Sequence, residues 1–263
     1  MLADLEVIAP LHLAAAWDNV GLLVEPRRVA RQVGRILLTI DCTPPVVAEA
    51  LAQGSDLIVS YHPPIFAGLK SLCAREPRTG ALLEAAAAGI AIYSPHTALD
   101  AVPGGVNDWL SEAFPGASAS VLEPSPGGPE GAGQGRRLRL ARPLALTTIV
   151  KRVKAHLGVR QLRLARGLRR RRAVREVALV PGAGGELLVA AARARSLDLV
   201  VTGELRHHDV LAINEAGCDV LLAEHSSSER GYLPRLRAAL RARLGRGVRV
   251  VIARADREPL QPV

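Results

Sequence analysis

Five residues carry the chemistry this sequence offers most plainly: His62, His96, Asp100, His225 and Glu229. Neutral imidazole nitrogen and carboxylate oxygen together suit a divalent transition metal such as Zn, Mn, Fe, Ni or Co, and no thiolate accompanies them. His96-x-x-x-Asp100 and His225-x-x-x-Glu229 each set two donors four residues apart, where they share one face if the segment opens helically. A carboxylate in such a set can also bridge two metals. Any one histidine alone reads better as a surface or core residue satisfied by backbone, so the case for metal rests on the five taken jointly. A second polar cluster, Glu204-Leu205-Arg206-His207-His208, lies nearby in sequence. Glu204 and His207 are candidates either to orient a ligand imidazole or to act as catalytic acid and base. His208 opens a predicted helix and reads as a cap or surface residue. The glycine-rich Pro181–Gly185 joins a strand to a helix and could cradle an anion. It lacks the Lys-Ser/Thr of a P-loop and the spacing of a dinucleotide fingerprint, so a tight turn is the better reading.

Each polar cluster falls just past an apolar run rich in Val, Ile and Leu. Strands are expected at Ile36–Ile40, Asp56–Ser60, Ile90–Ser94, Glu176–Val180, Leu197–Thr202, Asp219–Ala223 and Val248–Arg254. Helices are expected at Val46–Gln53, Gly80–Ala88, Val106–Ala113, Leu146–Leu157, Gly185–Arg195, His208–Ala216 and Arg230–Leu244. Continuous apolar strands alternating with helices argue for an α/β fold whose sheets are covered by helices. In open α/β sheets, ligands sit outside the carboxyl ends of the strands, which is where these clusters lie.

The order strand, helix, Ala-Gly, strand, His-x-x-x-acid occurs twice. Asp56–Ser60, Ala88–Tyr93 and His96/Asp100 are answered by Asp198–Thr202, Ala216–Leu221 and His225/Glu229. We read an internal duplication: a first α/β half at 1–122, a flexible linker at 123–135 (EPSPGGPEGAGQG), and a second α/β half at 136–263, with the metal site between the halves. The linker stretch has neither apolar period nor helix formers.

The 263 residues are enough for one large domain or two intimate halves. No apolar run approaches the roughly 20 residues of a membrane span, and Asp4, Glu6 and Asp18 precede the first Arg, Arg27, the wrong order for a leader. Three scattered cysteines indicate neither a disulfide framework nor a Cys-type zinc site. A cytoplasmic-type protein is expected. The net charge of +9 is local: fifteen Lys and Arg and no acid lie between Gly131 and Arg175, leaving 19 basic residues against 25 acidic elsewhere. Arg outnumbers Lys 31 to 3, which a coding bias in an Ala-, Gly- and Pro-rich chain would produce. The run Arg169–Arg172 could meet phosphates, yet aromatics at 3% leave little to stack on bases. A solvated basic loop is the better reading, and nucleic acid is not an expected partner.

At these residues the chain resembles the NIF-three-like family, also known as GTP cyclohydrolase I type 2 homologues. The resemblance is carried by AAAWDNVGLLVEP (14–26), DLIVSYHPPIF (56–66), YSPHTALDAVPGGVNDWL (93–110), VVTGELRHHDVLAINEAG (200–217) and AEHSSSERGYLP (223–234). It implies two similar α/β halves around a dinuclear metal centre, assembled as a homo-oligomer, often a toroidal hexamer. By position it implies that His62, Asp100, His225 and Glu229 are ligands, with His96 in or beside the site. Many bacterial members carry two adjacent histidines where this chain has Tyr61-His62. A phenol of pKa near 10 is a poorer ligand, so one or two metals per chain are expected. SYHPPIF and SPHTAxD resemble the animal branch, whose members are linked to transcription regulation through protein partners, in the nucleus as well as the cytoplasm. Two functions stay open: a metal-dependent hydrolase of a nucleotide-like substrate, or a non-catalytic regulatory protein.

Overall fold

The computed structural model describes residues 1–27, 32–169, 173–194 and 196–260. Its elements run α1 (Leu2–Ile8), β1 (Gly21–Val24), β2 (Arg35–Thr39), α2 (Pro44–Gln53), β3 (Leu57–Ser60), α3 (Pro77–Ala87), β4 (Ala91–Ser94), α4 (His96–Ala101), α5 (Val106–Ser111), β5 (Ser118–Pro124) and β6 (Gly133–Leu144). There follow α6 (Leu146–Leu157), β7 (Arg163–Ala165), β8 (Val174–Ala183), α7 (Gly185–Ala194), β9 (Leu199–Glu204), α8 (His207–Glu215), β10 (Asp219–Leu222), α9 (Leu233–Leu244) and β11 (Arg249–Ile252). The seven strands and seven helices expected from apolar pattern are all present, with ends shifted by a few residues. Local signals explain their limits. α2 opens on Pro44-Pro45, whose missing N–H groups cost nothing in a first turn, and closes on Gly54 at φ 62°.

The chain groups into two compact units. In the first, Met1–Leu99 with Leu233–Arg257, the sheet order is β1-β4-β3-β2-β11. Its core packs Leu37, Ile58 and Ile92 of the strands against Val46, Val47, Leu82 and Ala85 of α2 and α3. In the second, Asp100–Tyr232 with the C-terminal residues from Glu258, the order is β5-β6-β8-β9-β10-β7. There Ala178, Val200 and Val220 pack against Leu188, Ala192 and Ile213 of α7 and α8.

The duplication is visible in topology. β2, β3 and β4 are mutually parallel, as are β8, β9 and β10. An antiparallel edge strand follows in each case, β1 on β4 and β7 on β10. The same hinge recurs too: Asp56 Oδ2 accepts the N–H groups of Gly34 and Arg35 (2.8 and 2.9 Å), and Asp198 Oδ2 accepts those of Arg175 and Glu176 (2.7 and 3.0 Å). The duplicated α/β architecture is therefore real.

Two features differ from the sequence expectation. β11 lies far along the chain but pairs in parallel with β2, because its apolar run needs a partner and β2 has an open edge. The stretch read as a linker forms the end of a hairpin, with Glu123 opposite Gln134 and Pro124 opposite Gly133. Gly133 (φ 146°) lies against Glu123 O and Val121, where a Cβ has no room. The Arg136 guanidinium, 2% exposed, ties the turn together by donating to the carbonyls of Gly131, Gly133 and Gly135 and pairing with Asp108. Other arginines of the basic stretch pair internally, Arg137 and Arg139 with Glu176 and Arg166 with Asp219. Arg170–Arg172 lie outside the described residues. No helix among the described residues is long and apolar enough to cross a membrane.

Candidate functional site

In the first unit the carboxyl ends of three adjacent parallel strands present polar groups. Thr39 ends β2 and is followed by Asp41; Ser60 ends β3 and is followed by His62; Ser94 ends β4 and leads to His96. The backbone holds this edge: Tyr61 N–H donates to Thr39 O and His62 N–H to Ile40 O, each at 2.9 Å, while Ser94 Oγ donates to Tyr61 O at 2.8 Å. His62 Nδ1 lies 2.9 Å from Asp41 Oδ1, and His96 Nδ1 lies 2.7 Å from Asp18 Oδ1. Asp18 reaches β4 because β1 runs antiparallel to it, with Gly21 opposite Ser94, so the residues just before β1 sit at the carboxyl end of β4.

The Asp18 side chain has no exposed surface. Burial works to raise its carboxyl pKa, but hydrogen bonds from the His96 and Thr97 side chains, the His96 charge and the Thr97 N–H outweigh burial and hold it below 3.8. The His62 and His96 rings stand 5.4 Å apart, and the buried Tyr61 ring packs on both at 5.0 and 5.7 Å. His96 opens α4 at φ 26°, a backbone conformation rare for a side-chain-bearing residue and typical of functional positions.

The second unit repeats this edge. Gly203 and Glu204 end β9, and His225 follows β10 after Glu224, which also has a positive φ of 65°. His225 Nδ1 lies 3.0 Å from Glu204 Oε1, and His225 Nε2 lies 3.5 Å from Glu229 Oε1. Residues Ser226–Ser228 form a 3-10 turn rather than the α-turn the spacing suggests, yet the two side chains still converge. Glu229 is 3% exposed. The backbone closes in from β8. Gly182 has φ 64°, and a Cβ there would strike Glu229 Oε1 and come within 3.1 Å of His225 Nε2. A Cβ on Gly203 would meet Ser228 Oγ at 2.7 Å and His225 Cα at 2.8 Å. Ser228 completes the cradle, accepting Gly182 N–H at 2.8 Å and donating to His225 O at 2.7 Å.

Asp100, half-buried on α4, shares that helix with His96, and its main-chain oxygen accepts from Asn107 Nδ2 at 3.1 Å. Of the second polar cluster, Glu204 is the partner of His225, whereas His207 and His208 are exposed at the start of α8 with rings 5.4 Å apart.

The donor chemistry fits a divalent metal. Each of the three imidazoles has Nδ1 within hydrogen-bonding distance of a carboxylate, an arrangement that suits donation from Nδ1 and leaves Nε2 for a metal when the ring is neutral. Cysteine takes no part: burial pushes the Cys42 thiol up to about 12, and Cys218 donates to Leu197 O. Sequence reasoning identified Glu204 but missed Asp18, Asp41 and Gly182. Asp18 stands in the quoted WDNVG stretch and Gly182 in the Pro181–Gly185 stretch read as a tight turn; Asp41 had no local signal.

A sequence model of the family Duf34/NIF3 (NGG1p interacting factor 3) matches residues 1–259. The chain is 40% identical over 262 residues to NIF3-like protein 1 of Drosophila melanogaster, covering 99% of this chain and 87% of that protein. It is 31% identical to the GTP cyclohydrolase 1 type 2 homolog of Clostridium perfringens, over 98% of this chain and 96% of that one. The fold is similar to the crystal structure of a Bacillus cereus protein related to NIF3, with a TM-score of 0.84 over 99% of this chain and 97% of that chain; at 20% identity that likeness speaks to fold alone.

Proposed function

The chain belongs to the Duf34/NIF3 family, and on that premise we propose that it binds one or two divalent transition metals through His62, His96, Asp100, His225 and Glu229 and hydrolyses a nucleotide-like substrate. The observation that carries this reading is the carboxylate behind each imidazole, Asp41, Asp18 and Glu204. A histidine that serves only packing has no need of an acid on Nδ1, whereas a ligand histidine gains basicity and a fixed orientation from it. A metal held by these residues would supply Lewis-acid polarisation of water and of a substrate oxygen. The chain's own residues do the rest. Glu204 holds the His225 Nδ1 proton and keeps Nε2 aimed beside Glu229. His207, exposed on the next helix turn, is the group to pass protons with solvent. The clostridial relative's cyclohydrolase name supports the nucleotide-like class.

The test is metal content followed by turnover. Purified protein is expected to hold metal, and the double variant His225→Ala/Glu229→Ala to lose most of it, as measured by inductively coupled plasma analysis; unchanged content would sink the ligand assignment. Metal-stimulated hydrolysis across a nucleotide and phosphoester panel is expected to vanish in Asp100→Ala and fall strongly in Glu204→Gln.

Tyr61 favours a second reading, that of a non-catalytic regulatory protein acting through protein contacts, as the family description's "interacting factor" also suggests. Its ring is 2% exposed and its backbone is stitched to β2 and β4, which suits core packing rather than metal binding. A metal-loaded wild type without turnover on the whole panel would favour that reading.

A further inference from the structure

The turn between His225 and Glu229 is built from three consecutive serines, which compete with their own backbone for hydrogen bonds and bring no apolar side chain to pin the turn. A 3-10 segment of three residues is also a poor self-supporting element. Something outside the turn must hold it. Ser228 is tied to Gly182 and to His225 O, as above. The other two serines are held by one carboxylate from the C-terminal segment. Glu258 Oε2 accepts Ser226 Oγ–H at 2.7 Å, Ser227 N–H at 2.8 Å and Ser227 Oγ–H at 2.8 Å. Ser226 Oγ in turn accepts from Arg230 Nη2 at 3.0 Å, placing a guanidinium behind the same contact. Ser226 is 3% exposed, so its hydroxyl has no water to fall back on.

We infer that Glu258 is a positioning residue for metal binding: its carboxylate fixes the Ser226–Ser227 turn and with it the separation of His225 and Glu229. The inference rests on the metal reading above. Three donors on one oxygen anion are charge-assisted and short, the strong class of hydrogen bond. Without them the turn has several conformations of similar energy, and His225 Nε2 and Glu229 Oε1 lose their fixed spacing. Binding must then order the turn first, which lowers the apparent affinity in proportion to the ordered fraction.

The test uses the full chain and Co(II) as the probe. Wild type, Glu258→Gln, Glu258→Asp and the milder Ser227→Ala are compared by Co(II) titration, by the visible spectrum of the bound ion, and by amide exchange of the metal-free 225–229 segment. Glu258→Gln is expected to weaken Co(II) binding about 10- to 100-fold, the usual cost of losing an outer-shell partner, to change the absorption envelope, and to speed exchange at the Ser227 amide. Ser227→Ala, which keeps the N–H donor, should lose less. Glu258→Asp should recover part of the affinity, because the charge remains. A Glu258→Gln variant that binds Co(II) with wild-type affinity and spectrum overturns the inference, even if its thermal midpoint falls, since that pattern is structural support alone. A wild type that binds no Co(II) overturns the metal reading and this inference together, whereas the former outcome overturns only the role of Glu258.

Discussion

Gly182 shows how little room the histidine–carboxylate pair leaves. Its φ of 64° is cheap for glycine alone, and a methyl group there would collide with Glu229 Oε1. Gly182→Ala is therefore expected to cost about 1–3 kcal/mol of stability for the strained backbone and to reduce metal affinity at least about tenfold, because the carboxylate must move. Calorimetric unfolding and metal titration read the two effects separately; wild-type affinity in a folded variant would mean that Glu229 is not a ligand. Tyr93, on β4, carries a different kind of strain. Among the described residues its buried hydroxyl has no hydrogen-bond partner, and burial first, then the charge of Glu6, pushes its pKa up to about 12 from 10.0. The folded state thus holds the phenolic proton more tightly than the unfolded chain does. The associated stability is fully present below pH 10 and is lost as pH rises from 10 toward 12, by up to about 3 kcal/mol. Tyr93→Phe should be neutral or stabilising at pH 7 and should flatten the stability curve between pH 10 and 12; a curve that falls as steeply as wild type would exclude Tyr93 as the titrating group.

Among the elements, the β5–β6 hairpin is the one most dependent on a single side chain. Arg136 is buried, and its donors are spent on three carbonyls of the turn and on Asp108. Arg136→Ala would leave the turn carbonyls without their donors and the one-third exposed Asp108 without its cation, and unmet polar groups of that kind cost about 1–3 kcal/mol. Urea denaturation should show that loss, with metal content of the folded fraction unchanged; a cost below about 1 kcal/mol would mean that the turn holds itself. β6 and β8 are held by apolar contact, with Leu138 opposite Val177 and both at 0% exposure, so β6 should stay paired with β8 in the variant.

At the scale of the molecule, the repeated Asp at the start of β3 and β9 gives the duplication an energetic reading. Asp56 and Asp198 each accept two strand-end N–H groups. Asp56→Ala and Asp198→Ala should each cost about 1–3 kcal/mol, the penalty for leaving partly buried donors unmet. Being in separate units, they should add within about 0.5 kcal/mol in the double variant. A large departure from additivity in denaturant melts would mean that the two sheets do not stand as independent cores.

The sequence alone determined the alternation of apolar strands and helices, the repeated block and the place of His62, His96 and His225 just past strands. These are local properties: period, run length and the four-residue spacing of His and acid are set by the geometry of single elements. What tertiary structure decided are the partners. Asp18 meets His96 across 78 residues and Asp41 meets His62 across 21, through strand pairing that no window displays. Edge strands β1 and β7 are short and carry no clean alternation, so their existence depends on the neighbour that accepts their hydrogen bonds. The residues 123–135 look featureless because a hairpin tip held by Arg136 needs glycines and carbonyls rather than apolar side chains. β11 joins β2 for the same reason that His225 finds Glu204: hydrogen-bonding edges and carboxylates choose among all surfaces that folding brings near, and sequence distance does not enter that choice.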